Sequence, residues 1–195
     1  PHEFFSASMT MDISNQMKLS EFYEELKRLN INIIRPDINK CFADFRSDNN
    51  NFYYALGGVK AVGYLAVSNI VDERIKNGEF KSINDFIKRV KPKDINKLQL
   101  EGLVKSGSFD NINSNRHALF SSIPNFILKT KNNFANKIAN QIDLFSADEI
   151  KDEDIVLRAE DWKFEERLSK EFEAIGFFIS DHPLNQFKEI FDNYN

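Results

Sequence analysis

Cysteine occurs once in the 195 residues, at Cys41, which excludes an internal disulfide and a cysteine-rich zinc site and suits the cytoplasm. The three histidines, His2, His117 and His182, lie too far apart to form a local ligand pattern, so no metal site is expected in this chain. No uninterrupted apolar run approaches the length of a membrane span, and Pro1-His2-Glu3-Phe4-Phe5 lacks the basic, apolar and cleavage regions of a secretory leader. Carboxylates suited to two-metal chemistry are also missing. Asp152-Glu153-Asp154 sits in a polar tract with no strand to fix it, whereas nucleotidyl transfer by paired Mg²⁺ ions needs rigid ligands. No residue is therefore assigned a catalytic role.

What is present is a globular composition, 42% hydrophobic and 29% charged, enough for one ordinary core or two small ones. The formal net charge of −4 at pH 7 is unevenly spread. Residues 60–105 hold ten Lys and Arg against six Asp and Glu, a net of +4, while residues 143–173 hold five against twelve, a net of −7. A basic segment of this kind suits contact with a nucleic-acid backbone, although solvated lysine-rich helix faces give the same tally.

The basic segment begins with Leu56-Gly57-Gly58-Val59-Lys60-Ala61-Val62-Gly63, followed by Tyr64 to Arg74 with Ala66, Val67 and Ile70 at helical spacing. This reads as a short helix, a glycine-bearing turn and a second helix. The amides at the start of that second helix have no partner within it and are backed by its dipole, a setting that suits a phosphate. Val59, Lys60, Ala61, Val62 and Gly63 are the candidate phosphate-binding residues, with Lys60 supplying a mobile charge. From these residues alone a merely structural αα-hairpin fits equally well.

Elsewhere the pattern is mainly helical. Residues 3–11 look helical, Ser14 can cap a helix through Leu29, and Asn30 can end it in a left-handed conformation. Short strands are expected near Ile31–Ile34, Phe42–Arg46 and Phe52–Leu56, forming a minor sheet. After a stop at Gly78, Ser82 and Asp85 have the spacing of a capping box, and Asp94 can cap a further helix that ends at Gly107. This second helix pair has no glycine turn and reads as packing against the first. Another helix begins at Ser114–His117, limited or kinked by Pro124, and the polar stretch 130–140 reads as a mobile linker. A charged helix carrying Trp162, Phe164, Leu168, Phe172 and Ile175 returns the chain to a packed surface.

Between the linker and the acidic run 146–154 stands Gln141-Ile142-Asp143-Leu144-Phe145. Its three apolar side chains are too few for a core of their own. They suit insertion of Leu144 and Phe145 into a partner's cleft, with the Gln141 amide giving directional hydrogen bonds; docking on this domain's own surface is the alternative.

Several blocks together resemble one family: Pro1-His2-Glu3-Phe4, Pro36-Asp37-Ile38-Asn39, Leu56 to Arg74, Phe80 to Phe86, Leu103 to Asp110, Asn115-Arg116, Gln141 to Phe145, and Glu173 to Leu184. In this order they are similar to the C-family replicative polymerases, the α subunits of bacterial DNA polymerase III. The resemblance implies a mainly α fold with a tandem helix-hairpin-helix domain and a small β element near the N-terminus. It implies the end of the fingers at 1–45, the DNA-binding hairpins at 46–130, a flexible linker at 131–154 with the clamp-binding peptide 141–145, and a helical segment at 155–195 leading to a further domain. The implied partners are double-stranded DNA, the β sliding clamp and other polymerase subunits, with no membrane. Mg²⁺ would serve the parent nucleotidyltransferase, whose palm aspartates are not in this segment, so the segment alone is expected to be inactive. Arg35, Ala61 and Asp181 depart from the family's usual Pro, Gly and Gly. A hairpin module of a DNA repair enzyme and a protein-interaction scaffold are the rival readings.

Overall fold

The computed structural model describes residues 2–138 and 155–181. Helices dominate. α1 (His2–Met11) and α2 (Gln16–Arg28) form an N-terminal pair, with Asn15 as the cap of α2: its side chain accepts from the Lys18 amide at 3.2 Å. Ser14, the expected cap, lies one residue too early. Asn30 ends the helix at φ 54°, the left-handed stop expected of it.

β1 (Asn32–Ile34), β2 (Arg46–Ser47) and β3 (Asn51–Tyr53) make a three-stranded sheet in the order β1-β3-β2, parallel between β1 and β3 and antiparallel between β2 and β3. Of the expected strands, Phe42–Arg46 survives only at Arg46 and Phe52–Leu56 only at Phe52 and Tyr53, and the turn that joins β2 to β3 is closed by Asp48. Its carboxylate accepts from the amides of Asn50 and Asn51 and from the Tyr53 hydroxyl.

α3 (Tyr64–Asn77) ends at Gly78, with φ 86°. α4 (Ile83–Arg89) opens as a capping box: Ser82 Oγ accepts from the Asp85 amide at 3.1 Å, and the Asp85 carboxylate accepts from the Lys81 amide. α5 (Lys97–Lys105) is capped by Asn96 rather than Asp94, which lies in a preceding 3-10 turn, Pro92–Asp94. Gly107 follows α5 at φ 80° and Phe109 is buried behind it, as the pattern indicates.

α6 (Arg116–Ile138) departs most from expectation. It runs through Pro124 and across 131–138, the first part of the stretch read as linker. Pro124 lies on the exposed side, where water can satisfy the carbonyl that loses its helical donor. α7 (Phe164–Ile175) ends at Gly176 in the left-handed conformation. Trp162 stays outside it, buried and stacked on the His117 ring.

One contiguous core joins Phe5 and Met9 of α1, the sheet, the helices α3 to α6, and Ala174 to Ile179. Residues of the expected segments 1–45, 46–130 and 155–195 thus share a single interior. Three buried weak acids lie in it. Burial pushes the Cys41 thiol from 9.0 up to about 12 and the Tyr23 phenol from 10.0 up to about 12, and moves the Tyr54 phenol in the same direction. Below the unfolded-chain values all three are neutral in both states and this stability is fully present. As pH rises from there towards about 12 the unfolded chain releases protons that the folded chain retains, so stability falls. Urea midpoints should therefore drop steeply between about pH 9 and about pH 11, and native Cys41 should resist iodoacetamide until the chain is unfolded. A flat midpoint across that window, or rapid native alkylation, would contradict the burial.

Candidate nucleic-acid interface

The turn before α3 is held on both sides through one residue. A single 3-10 turn, Leu56–Gly58, replaces the first helix expected there and leads through extended Val59 into Lys60 and Ala61. The Lys60 amide donates to the Ala174 carbonyl at the end of α7, 2.8 Å away. On the other side its carbonyl lies against Gly102 of α5, where a Cβ would stand 2.7 Å from the Lys60 oxygen. Val59 and Val62 are buried beneath the turn, each 3.4 Å from that same Cβ position. The backbone here is therefore preorganised. Gly57 allows the approach from the sheet side, since a Cβ there would meet the Ala43 carbonyl at 2.7 Å.

Positive φ falls at Ala61, 63°, not at Gly63, whose φ of −69° any residue can adopt. Alanine in this region carries about 1–2 kcal/mol of strain. A Cβ on Gly63 would meet only Gln99 and Ala66, at ordinary contact distances of 3.7 and 3.9 Å. Nothing among the described residues demands a glycine there. Ala61→Gly should relieve the strain and lose part of the gain to unfolded-chain entropy, a net stabilisation of about 0.5–1 kcal/mol. A rise in melting temperature checks this, and a fall would show that the turn is unstrained.

The five candidate residues divide accordingly. Lys60, Ala61 and Gly63 are exposed, whereas Val59 and Val62 are core side chains that cannot meet a ligand. The amides of Lys60 and Val62 are also taken, by Ala174 and Val59. The amides of Ala61 and of Gly63 to Leu65 have no hydrogen-bond partner among the described residues, and Gly63 provides no side-chain cap. At α5, by contrast, the Asn96 side chain already accepts from the Gln99 amide at 2.9 Å. The start of α5 is thus capped by a side chain, whereas the start of α3 is not. Beside it the Asp44 carboxylate, accepting a hydrogen bond from the Tyr64 hydroxyl, pushes that phenol's pKa up.

Pairing thins the basic tally. Arg74 is buried and donates to the carbonyls of Ile38 and Cys41, at 2.7 and 2.6 Å. Arg89 binds Glu73 and Asp85, and Lys105 pairs with Glu173 at 3.0 Å. Lysines remain as the outward cations: Lys60, Lys76, Lys81, Lys88, Lys91 and Lys93 are exposed and form no ion pair among the described residues. Gly102, whose backbone packs on the Lys60 carbonyl, is a position that sequence reading missed; its signal is an isolated glycine inside an otherwise regular helix. Gln141, Ile142, Asp143, Leu144 and Phe145 lie outside the described residues. Among the described residues no helix is long and apolar enough to cross a membrane, and no cluster of potential metal ligands occurs.

Residues 30–119 match the family described as helix-hairpin-helix motif. Over the whole chain the sequence is 38% identical to DNA polymerase III subunit alpha of Borreliella burgdorferi, of which it covers 17%. It is 35% identical to the protein of that name from Caulobacter vibrioides, over 94% of this chain and 16% of that protein. The corresponding protein of Campylobacter jejuni is 33% identical, over 97% of this chain and 16% of its own length. The chain thus spans about a sixth of the length of these relatives.

Proposed function

We propose that this chain, a relative along its whole length of a segment of DNA polymerase III subunit alpha, grips duplex DNA through the hairpin at residues 59–65 and helps hold a replicative polymerase on its template. The observation that carries this reading is the set of open amides at Ala61 and Gly63 to Leu65, backed by the dipole of α3 and flanked by unpaired Lys60. Such a site binds a phosphate oxygen and does not read bases, so the contact would be independent of sequence. In the same proposal Gln141 to Phe145 enter a pocket of the β sliding clamp. The tether would raise the effective concentration of a weak peptide contact and so prolong synthesis. Polymerisation, with its Mg²⁺, belongs to other parts of the parent enzyme, which works in the cytoplasm with the other subunits of its holoenzyme.

Fluorescence anisotropy with a mixed-sequence duplex at low salt tests the first part. Binding should weaken by about 0.9 log units per log unit of salt for each phosphate neutralised, and Lys60→Glu should weaken it further. Retention of DNA unaltered by Lys60→Glu would remove the hairpin from the reading. Calorimetry with the cognate clamp tests the second part: Leu144→Ala with Phe145→Ala should abolish measurable heat, and unchanged binding would exclude the peptide as the tether.

A further inference from the structure

Lys60 is held between two helices. Its amide donates to the Ala174 carbonyl in the last turn of α7, at 2.8 Å, and its carbonyl lies against Gly102 of α5. The two helices pack on each other, and an ion pair joins them at the ends that grip the turn. Lys105 Nζ, one turn beyond Gly102, meets the carboxylate of Glu173, the neighbour of Ala174, at 3.0 Å. Lys105 closes α5 and its side chain is only 19% exposed, with the ammonium 5.4 Å from the centroid of the Phe120 ring. That ammonium is thus fixed between Phe120 and Glu173 rather than offered to solvent.

Glu173 is badly placed for α7 itself. A carboxylate in the last turn faces the negative end of the helix dipole, and that turn has no basic residue. Lys170 of the same helix reaches it at 3.3 Å, but the Lys105 ammonium is nearer and is the chief cause that keeps the Glu173 carboxyl below the usual carboxylate range. In the interior Arg116 already links the Lys105 carbonyl to Glu171, so the fold has a buried tie between these helices and the outer pair adds little to stability. What the outer pair fixes is the spacing of Ala174 and Gly102, and with it the position of Lys60.

We propose that Lys105 and Glu173 are positioning residues for duplex binding: their ion pair holds α5 and α7 at the separation that sets the Lys60 turn and aims the open amides of Gly63 to Leu65. This role rests on the duplex-binding reading above and gives it two residues that act through the backbone of the turn rather than on phosphate.

Fluorescence anisotropy of the 195-residue chain with a mixed-sequence duplex at low salt tests it, because the sign of one effect is diagnostic. By charge alone Glu173→Gln should strengthen DNA binding, since it removes a carboxylate; the positioning role makes it weaken binding severalfold. Lys105→Gln should weaken binding to a similar degree, and Lys105→Arg should retain it. Lys170→Gln, which loses the same charge but no link to α5, should do less. In ¹⁵N spectra without DNA the amides of Lys60 and Gly63 to Leu65 should shift in Glu173→Gln and Lys105→Gln, while melting temperatures stay near the parent's. If Glu173→Gln binds as well as the parent or better, the tie is overturned and the hairpin stands. A salt slope lowered by about 0.9 in Lys105→Gln, with the turn amides unshifted, would make Lys105 a direct phosphate contact and also overturn it. Absence of any duplex binding by the parent overturns both.

Discussion

Arg116→Ala is expected to cost about 3–5 kcal/mol of folding stability, the range for breaking a buried ion pair by removing one partner. The guanidinium donates twice to Asp110, at 2.9 and 2.7 Å, once to the Lys105 carbonyl at 3.0 Å, and meets Glu171 at 3.4 Å. Glu171 is only 1% exposed, and its other oxygen accepts from the amides of Ile179 and Ser180. Removing the arginine leaves that carboxylate charged, buried and short of its counter-ion. Gly107 is part of the same arrangement, because a Cβ there would stand 2.2 Å from the Arg116 guanidinium. Arg116→Lys should rescue little, since one ammonium cannot reproduce a bidentate fork. Urea unfolding checks this, and the double variant Arg116→Ala with Glu171→Ala should cost less than the sum of the two single changes. Strict additivity would mean that the pair is not coupled.

Gly102→Ala should damage DNA retention from a position that no DNA would touch. A methyl group there would stand 2.7 Å from the Lys60 carbonyl, while the Lys60 amide is fixed to Ala174 on the opposite side. The turn must therefore move. Alanine gains about 1 kcal/mol of helix propensity, but overpacking a tight contact costs about 1–3 kcal/mol, so stability should change little or fall slightly. Duplex affinity should fall roughly tenfold, equivalent to about 1.4 kcal/mol. Full affinity with an unshifted melting temperature would show that the turn's geometry does not matter.

Local chemistry made much of the fold legible. Asn30, Gly78, Ser82 and Gly107 ended or began helices where their preferences place them, because each acts through its own backbone or a neighbour three or four residues away. The apolar stripe around Val67 and Ile70 also fell on the buried side of α3. What escaped depends on contacts between distant segments. The 3-10 turn at Leu56–Gly58 takes its shape from the approach of Ala43, and the fixed position of Lys60 from Ala174 and Gly102, 114 and 42 residues away in sequence. Helix through 131–138 was missed because the polar composition that suggests a linker also suits the solvated end of a long helix. At the candidate site the glycine turn was visible, but the positive φ at Ala61 and the burial of Val59 and Val62 were not.

The central claim is that open amides at the start of α3 receive a DNA phosphate. Its most direct test is a titration of ¹⁵N-labelled protein with a short mixed-sequence duplex at low salt, following amide shifts residue by residue. The amides of Ala61 and Gly63 to Leu65 should move furthest and return as salt rises, while that of Lys60, bound to Ala174, moves less. Saturable binding that leaves those four amides at their free positions would contradict the account.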